Sequence, residues 1–497
     1  MIQQLTPAVI LGIIAAYFLL LLGVSYFTGR KADMADFFVA GRQSPWLLVA
    51  IGMIGASLSG VTFISIPGKV GSDGLNMSFS YLQVVMGYLL GYLVIGTVLL
   101  PLYYRLQLTS IYGYLEQRFG FYSYKTGAAY FLLSRTIGAS FRLYLVAIVL
   151  QQFVMNYYGI PFWVTVLTTI ALIWVYTFRG GIKTIVWTDT LQTVSMLLAV
   201  VLTIRAIGNA LEMDLSDLFT LVKKSEYSQV FFFEGGWGDP NNFFKQFFSG
   251  ALIALVMTGL DQDMMQKNLS CRSLGDAQKN MLTFCIILFF ANLLFLLLGA
   301  LLYLYAATIG VDLPEASDQL FPTIALQHLP PMTGLLFVLG LIAAAYSSAD
   351  SALTALTTSF CVDFLGLERS EQSEAQKKRT RLWVHLGFSF VLLAVIIAFR
   401  AWNNDAVINQ LFIAAGYTYG PILGLFSFGL LTKRPVDDRW VIPICLAAPI
   451  ISYLLNSFSK SILAGFEFGF LILALNGLLT FLGLLLISQP AEETEQA

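Results

Sequence analysis

The sequence predicts an all-α membrane protein of about thirteen transmembrane helices. Three observations predict it. Of 497 residues, 57% are hydrophobic and 11% are charged, and the mean hydropathy is +0.76. The apolar residues gather into runs of about 20, the length that crosses a bilayer as a helix. Lys and Arg fall mostly into alternate gaps between those runs. No soluble class has this composition, and a net charge of −1 gives no basis for nucleic-acid binding. The lipid bilayer is the one partner the composition demands; no obligatory protein partner is evident.

The spans read as 8–28, 46–68, 77–104, 125–156, 161–178, 187–208, 244–264, 277–308, 332–364, 381–400, 406–431, 439–457 and 461–487. The first is too long for a signal-peptide core and lacks a basic leader, so it reads as a retained span. One set of alternate loops carries nineteen of the 28 Lys and Arg, and the opposite set carries six. The richer set is cytoplasmic by the positive-inside rule. This puts the N-terminus outside, the acidic tail 489–497 inside, and the chain in the plasma (inner) membrane. Arg135, Arg142 and Arg205 fall within spans. The long outer loops are 209–243 and 309–331; Glu368–Thr380 is a charged cytoplasmic linker. The four cysteines lack CxxC spacing, and neither His328 nor His385 has a metal-ligand neighbour at helical spacing.

Two spans are poor continuous helices. The second contains Gly55-Ala-Ser-Leu-Ser-Gly60 and Pro67, and the seventh is interrupted by glycines and ends in Asp261-Gln-Asp263. They lie five spans apart and run in opposite directions. That pattern predicts two inverted five-helix repeats, 46–208 and 244–431, with 8–28 before them and 439–487 after. The alternative is that the glycines only let helices pack closely.

The ninth span carries Ala343-Ala-Ala-Tyr-Ser-Ser-Ala-Asp-Ser-Ala-Leu-Thr354. Ala344, Ser347, Ser348 and Ser351 recur at i, i+3, i+4 and i+7, so they share a helix face, and Asp350 borders it. An ionisable group at membrane depth faces a cavity, a partner or an ion. Carboxylate and hydroxyl oxygens suit a small hard cation such as Na⁺. The alternative for each serine is a bond to its own helix at i−4.

With these residues the chain resembles the sodium:solute symporter family. Asp36–Trp46, Gly55–Pro67, Gly180–Gln192 and Ala343–Thr354 carry the resemblance. It implies a fold of the leucine-transporter type. It also implies a first sodium site made by the carbonyls of Gly55, Leu58 and Ala344 and the hydroxyls of Ser347 and Ser348. A second cation site would comprise Asp189, Ser347, Asp350 and Ser351. Asp350 stands where a sialic acid symporter has serine. Two carboxylates would strengthen cation binding, or raise one pKa so that a proton substitutes. Asp189 reads equally as a cap of the sixth helix. Family substrates bind mid-membrane, which nominates Ser57, Ser59, Thr62, Gln83 and Thr258, with Tyr417, Thr418 and Tyr419 beside an unwound Gly416–Pro421. Arg142 suits a solute carboxylate, whereas Arg135 reads as salt-bridged to a neighbouring helix or snorkelling to the surface. The seventh-span asparagine of the sialic acid symporters falls near Ala254, and their arginine has no counterpart at Arg135 or Arg142. This implies a solute other than sialic acid. Asp261, Gln262, Asp263 and Gln266 form an inner gate or a solvated helix end.

The expected function is Na⁺-coupled import of a small organic solute (sugar, amino acid or carboxylate) by alternating access, with Na⁺ as coupling ion. The alternatives are a transporter-like solute sensor, or a proton-coupled symporter using Asp350. An enzyme is not expected, because no nucleophile–base pair or HExxH motif is present.

Overall fold

The computed structural model describes residues 6–29, 34–177, 181–402, 407–463 and 465–490. Among them ten helices are long and apolar enough to cross a membrane. They are the first span (Pro7–Thr28), third (Tyr81–Arg105), fourth (Phe121–Phe153), sixth (Ile182–Ala210), eighth (Leu274–Ile309), ninth (Pro331–Phe364), tenth (Glu374–Ala401), eleventh (Val407–Leu431), twelfth (Asp438–Ile462) and thirteenth (Gly469–Ile487). The second span is a bent pair, Trp46–Ser57 and Gly60–Lys69, at 55°. The seventh is another, Phe243–Gly259 and Gln262–Leu269, at 62°. The shorter apolar helix Phe162–Thr177 is the fifth. Each expected span is therefore a helical element in its expected order.

Both bends have a local cause. At the first, Ser59 is extended, with φ −74° and ψ 179°. Its N–H turns to the Ser57 carbonyl at 3.0 Å instead of reaching back to Gly55. At the second, Asp261 is extended, and its carboxylate accepts from Asp263 N at 3.0 Å and Met264 N at 3.2 Å. It thus caps the helix that restarts there. Gly250 lets the outer arm of the seventh span lie directly on the third, since a Cβ there would run into the Val84 backbone.

The ninth span is the core element: every residue from 340 to 359 is buried. The first, tenth and twelfth spans lie at the periphery, where Phe27, Trp383 and Ile450 are exposed.

Several expectations need correction. The eleventh span is not unwound at Gly416–Pro421; it is one helix from Val407 to Leu431. Pro421 deprives the Tyr417 carbonyl of its helical donor, and Asn476 Nδ2 replaces it at 2.9 Å. Asp189 does not cap the sixth helix, because the cap position is Gly181 and Asp189 lies two turns further in. The end of the seventh span is not solvated: Asp261, Gln262, Asp263 and Gln266 are all fully buried. The thirteenth span starts at Gly469 rather than 461, because the twelfth helix runs on to Ile462. Half of the expected linker 368–380 is helical, belonging to Glu374–Trp402. Most of the polar tail, 491–497, and Gly180 of the third family segment lie outside the described residues.

Candidate ion and solute sites

The break in the second span leaves carbonyls that a continuous helix would consume, and the ninth span supplies hydroxyls to meet them. Ser347 Oγ donates to the Gly55 carbonyl at 2.9 Å and lies 3.3 Å from the Ala344 carbonyl. Ser348 Oγ donates to the Ala56 carbonyl at 3.2 Å. Gly55, Ala344, Ser347 and Ser348 are thus gathered at one place, with Leu58 at the break beside them. The donor set is all oxygen, neutral and dry, which suits a dehydrated monovalent cation. Thr193 Oγ1 ties the second span to the sixth from behind, donating to the Ile51 carbonyl at 2.9 Å and to its own Asp189 carbonyl at 2.7 Å.

A second polar cluster lies on the sixth span. Asp189 and Asp350 are both fully buried. Asp350 accepts from Tyr176 OH at 2.8 Å and from Ser351 N at 2.5 Å. Asp189 Oδ2 receives Lys267 Nζ at 2.6 Å, and the lysine is 1% exposed. The lysine comes from the inner arm of the seventh span. Asp189 Oδ1, Ser351 Oγ, Thr354 Oγ1 and both polar atoms of the Gln192 side chain are buried without a hydrogen-bond partner among the described residues.

Between the bends lies a cavity of about 60 Å³ lined by Ser57, Ser59, Thr62, Arg142, Thr258 and Asn292, with Tyr81, Tyr88, Tyr92 and Ala254 on its walls. Arg142 is buried, its Nε has no partner, and no carboxylate among the described residues lies within ion-pair distance. Arg135 also lines the cavity but is clamped by Asp263, with Asp261 at 4.0 Å.

A family model for the sodium:solute symporter family matches residues 37–437. The chain belongs to the sodium:solute symporter family. It is 27% identical over 456 residues to the sodium/sialic acid symporter SiaT of Proteus mirabilis, covering 88% of this chain and 87% of that one. It is 25% identical to the sodium/sialic acid symporter NanT of Aliivibrio fischeri, covering 82% and 80%. It is 28% identical to the rabbit sodium-dependent multivitamin transporter, but spans only 62% of that protein's length. A substrate-bound, outward-open Na⁺-coupled sialic acid symporter superposes with a TM-score of 0.81 at 20% identity, covering 97% of this chain and 99% of that one. Mhp1, a nucleobase-cation-symport-1 transporter, superposes at 0.54 and 12% identity. The fold is of the leucine-transporter type. The protein is a transporter rather than an enzyme, and Na⁺ is its coupling ion.

Not every nominated residue of the symporter reaches the cavity. Gln83 is held by backbone, donating to the Asn241 carbonyl at 2.8 Å and accepting from Phe232 N at 3.2 Å. Tyr417 OH accepts from Asn456 Nδ2 at 3.2 Å, and Thr418 bonds back to the Ala414 carbonyl at 2.7 Å. Tyr419 OH donates to Asp261 beside Arg135 and Arg142. At the second bend, Gln266 Nε2 donates to Thr358 Oγ1 at 2.9 Å and to the Phe38 carbonyl, and Gln262 Nε2 donates to the Thr109 carbonyl at 2.8 Å. These bonds tie the Gln262–Leu269 arm of the seventh span to the ninth span and the segments around it.

The sequence reading missed Lys267, Tyr176 and Asn292. The span boundaries put Lys267 in a loop, but it is buried against Asp189. Its place one residue after the gate candidate Gln266 was the available signal. Removing it from the loop tally leaves the charge bias intact.

Proposed function

We propose that this symporter uses an inward Na⁺ gradient to import a small organic anion bearing a carboxylate, by alternating access. What carries the reading is the pair of hydroxyl–carbonyl contacts joining the ninth span to the break in the second: Ser347 to Gly55 at 2.9 Å and Ser348 to Ala56 at 3.2 Å. Na⁺ entering there replaces two hydrogen bonds with oxygen coordination by Gly55, Leu58, Ala344, Ser347 and Ser348. It thereby bridges a helix break that lines the solute cavity to the buried ninth span. Ion and solute then stabilise one conformation, and each raises the affinity of the other.

The solute sits among Ser57, Ser59, Thr62, Thr258 and Arg142. The Arg142 guanidinium is desolvated and lacks an ion-pair partner among the described residues, so an anion supplies the missing charge. Sialic acid and monocarboxylates, the solutes for which two relatives are named, carry a carboxylate, and a third relative is named for iodide, also an anion. Inverted halves 46–208 and 244–431 supply the two moving parts, with the two bends at corresponding positions. The Lys/Arg bias supports an external N-terminus and a cytoplasmic C-terminus in the cell membrane.

Uptake of radiolabelled short monocarboxylates into proteoliposomes tests this. Uptake is expected to collapse when external Na⁺ is replaced by K⁺; equal rates in both refute sodium coupling. Competition by the matching neutral amide is expected to be weak. An amide that competes as well as the acid refutes the carboxylate role of Arg142.

A further inference from the structure

The two carboxylates of the Asp189 cluster, when both are ionised, carry more negative charge than one sodium ion neutralises. Asp189 and Asp350 are each fully buried, and each lies within electrostatic range of the other and of Lys267. Tyr176 OH and Ser351 N, the donors to Asp350, are neutral. Four buried oxygens around the cluster, Asp189 Oδ1, Ser351 Oγ, Thr354 Oγ1 and Gln192 Oε1, have no partner among the described residues. Thr354 stands one helical turn beyond Asp350 and Ser351, and Gln192 one turn beyond Asp189, so all belong to the same two facing surfaces. Two carboxylates with hydroxyl and amide oxygens in a dry site are the donor set of a hard divalent cation. Lys267 changes that. Its ammonium sits 2.6 Å from Asp189 Oδ2 and is itself 1% exposed, so its charge counts in full.

We propose that Lys267 is a built-in counter-charge that sets the valence of the cation taken by the Asp189–Asp350 cluster. With both carboxylates ionised and the lysine in place, the cluster carries one net negative charge. One monovalent cation neutralises it, whereas a divalent cation leaves an uncompensated buried positive charge. Lys267 rides on Gln262–Leu269, the arm whose Gln266 bonds to Thr358 of the ninth span, so the same ammonium also pins that arm to the sixth span. The proposal rests on the sodium-coupled reading above, and it makes Lys267 a specificity residue for the ion rather than a ligand.

The experiment compares wild type, Lys267→Gln, Lys267→Arg and the double variant Lys267→Gln/Asp350→Asn. Na⁺-driven uptake in proteoliposomes and thermal stability in detergent are measured against NaCl and against CaCl₂. Wild type and Lys267→Arg are expected to respond to Na⁺ and to be indifferent to millimolar Ca²⁺. In Lys267→Gln, Ca²⁺ is expected to stabilise the protein and to inhibit Na⁺-driven uptake at concentrations lower by about tenfold or more. The double variant removes one charge of each sign, and its thermal stability is expected to lose the response to Ca²⁺ that Lys267→Gln gains. A lysine that only packs or tethers the arm would give no Ca²⁺ response for the second change to remove. The inference is overturned if Lys267→Gln shows wild-type Na⁺ and Ca²⁺ responses. Should Lys267→Gln not be recovered as folded protein, the double variant decides by thermal stability: folded protein indifferent to millimolar Ca²⁺ supports the inference, and failure to recover it, or stabilisation by Ca²⁺, overturns it. Wild-type uptake that is indifferent to Na⁺ would instead remove the sodium-coupled reading beneath it, so the two failures are distinguishable.

Discussion

Gly55→Ala is expected to weaken Na⁺ binding severalfold to a hundredfold while leaving the fold intact. The residue has no side chain to lose, so the effect comes from what an added methyl meets. A Cβ there would press on Thr193 Oγ1, with the Asp189 carbonyl at 3.3 Å and Ser347 Oγ at 3.5 Å. Thr193 Oγ1 cannot swing aside freely, because it holds the Ile51 and Asp189 carbonyls at 2.9 and 2.7 Å. Giving up one of those bonds costs about 1 kcal/mol, and overpacking a tight site costs about 1–3 kcal/mol. If the second span moves instead, the Gly55 carbonyl moves off the Ser347 hydroxyl, and the ion loses its geometry. At about 1.4 kcal/mol per tenfold, the half-saturating Na⁺ concentration rises by roughly fivefold to a hundredfold. The assay is solute uptake against external Na⁺ in proteoliposomes, with Gly23→Ala as control, since a Cβ at Gly23 meets nothing within 4 Å. Gly55→Ala/Thr193→Ala is expected to recover most of the affinity. An unchanged half-saturating Na⁺ concentration in Gly55→Ala would refute the placement of the ion at this break.

Arg142→Gln is expected to raise the half-saturating solute concentration by about tenfold to a hundredfold, since hydrogen bonds to a charged group are worth about 1.5–3 kcal/mol; solute-dependent uptake at saturating Na⁺ measures it, and an unchanged value argues that the anion binds elsewhere. Asp263→Asn leaves Arg135 without its close partner in a buried setting, a loss of about 3–5 kcal/mol. The melting temperature in detergent is expected to drop clearly. By contrast, Glu467→Gln, which breaks the exposed pair with Lys460, is expected to leave it unchanged; equal drops would count against a buried clamp. Burial pushes the Cys271 thiol up from its ordinary value to about 12. It therefore stays protonated at neutral and mildly alkaline pH. A variant retaining Cys271 alone is expected to resist maleimide at pH 7 until unfolded in detergent, and labelling of the folded protein would contradict that burial.

Much of the architecture was legible because membrane insertion is written in local composition. Runs of about 20 apolar residues and the small residues at 55–60 are each contiguous stretches of chain. Ser347 and Ser348 were legible because helical spacing alone puts them on one face. The course of the eleventh span was not, because Pro421 signals a break whatever follows it. What heals the break is Asn476, which comes from another helix and caps the freed carbonyl. The partners of Asp189 and Asp350 were hidden for the same reason: Lys267 and Tyr176 lie 78 and 174 residues away in sequence.

The sequence by itself determined the number and order of the spans, the two weak helices, and the oxygen-rich face of the ninth, because each follows from hydropathy, helix periodicity or backbone propensity over a short stretch. Only the tertiary structure decided which charges meet. It set Lys267 on Asp189, clamped Arg135 to Asp263, and left Arg142 facing the cavity without a carboxylate beside it among the described residues. A buried charge is settled by whichever group the packing of distant helices brings within a few ångströms, and no local pattern along the chain encodes that choice.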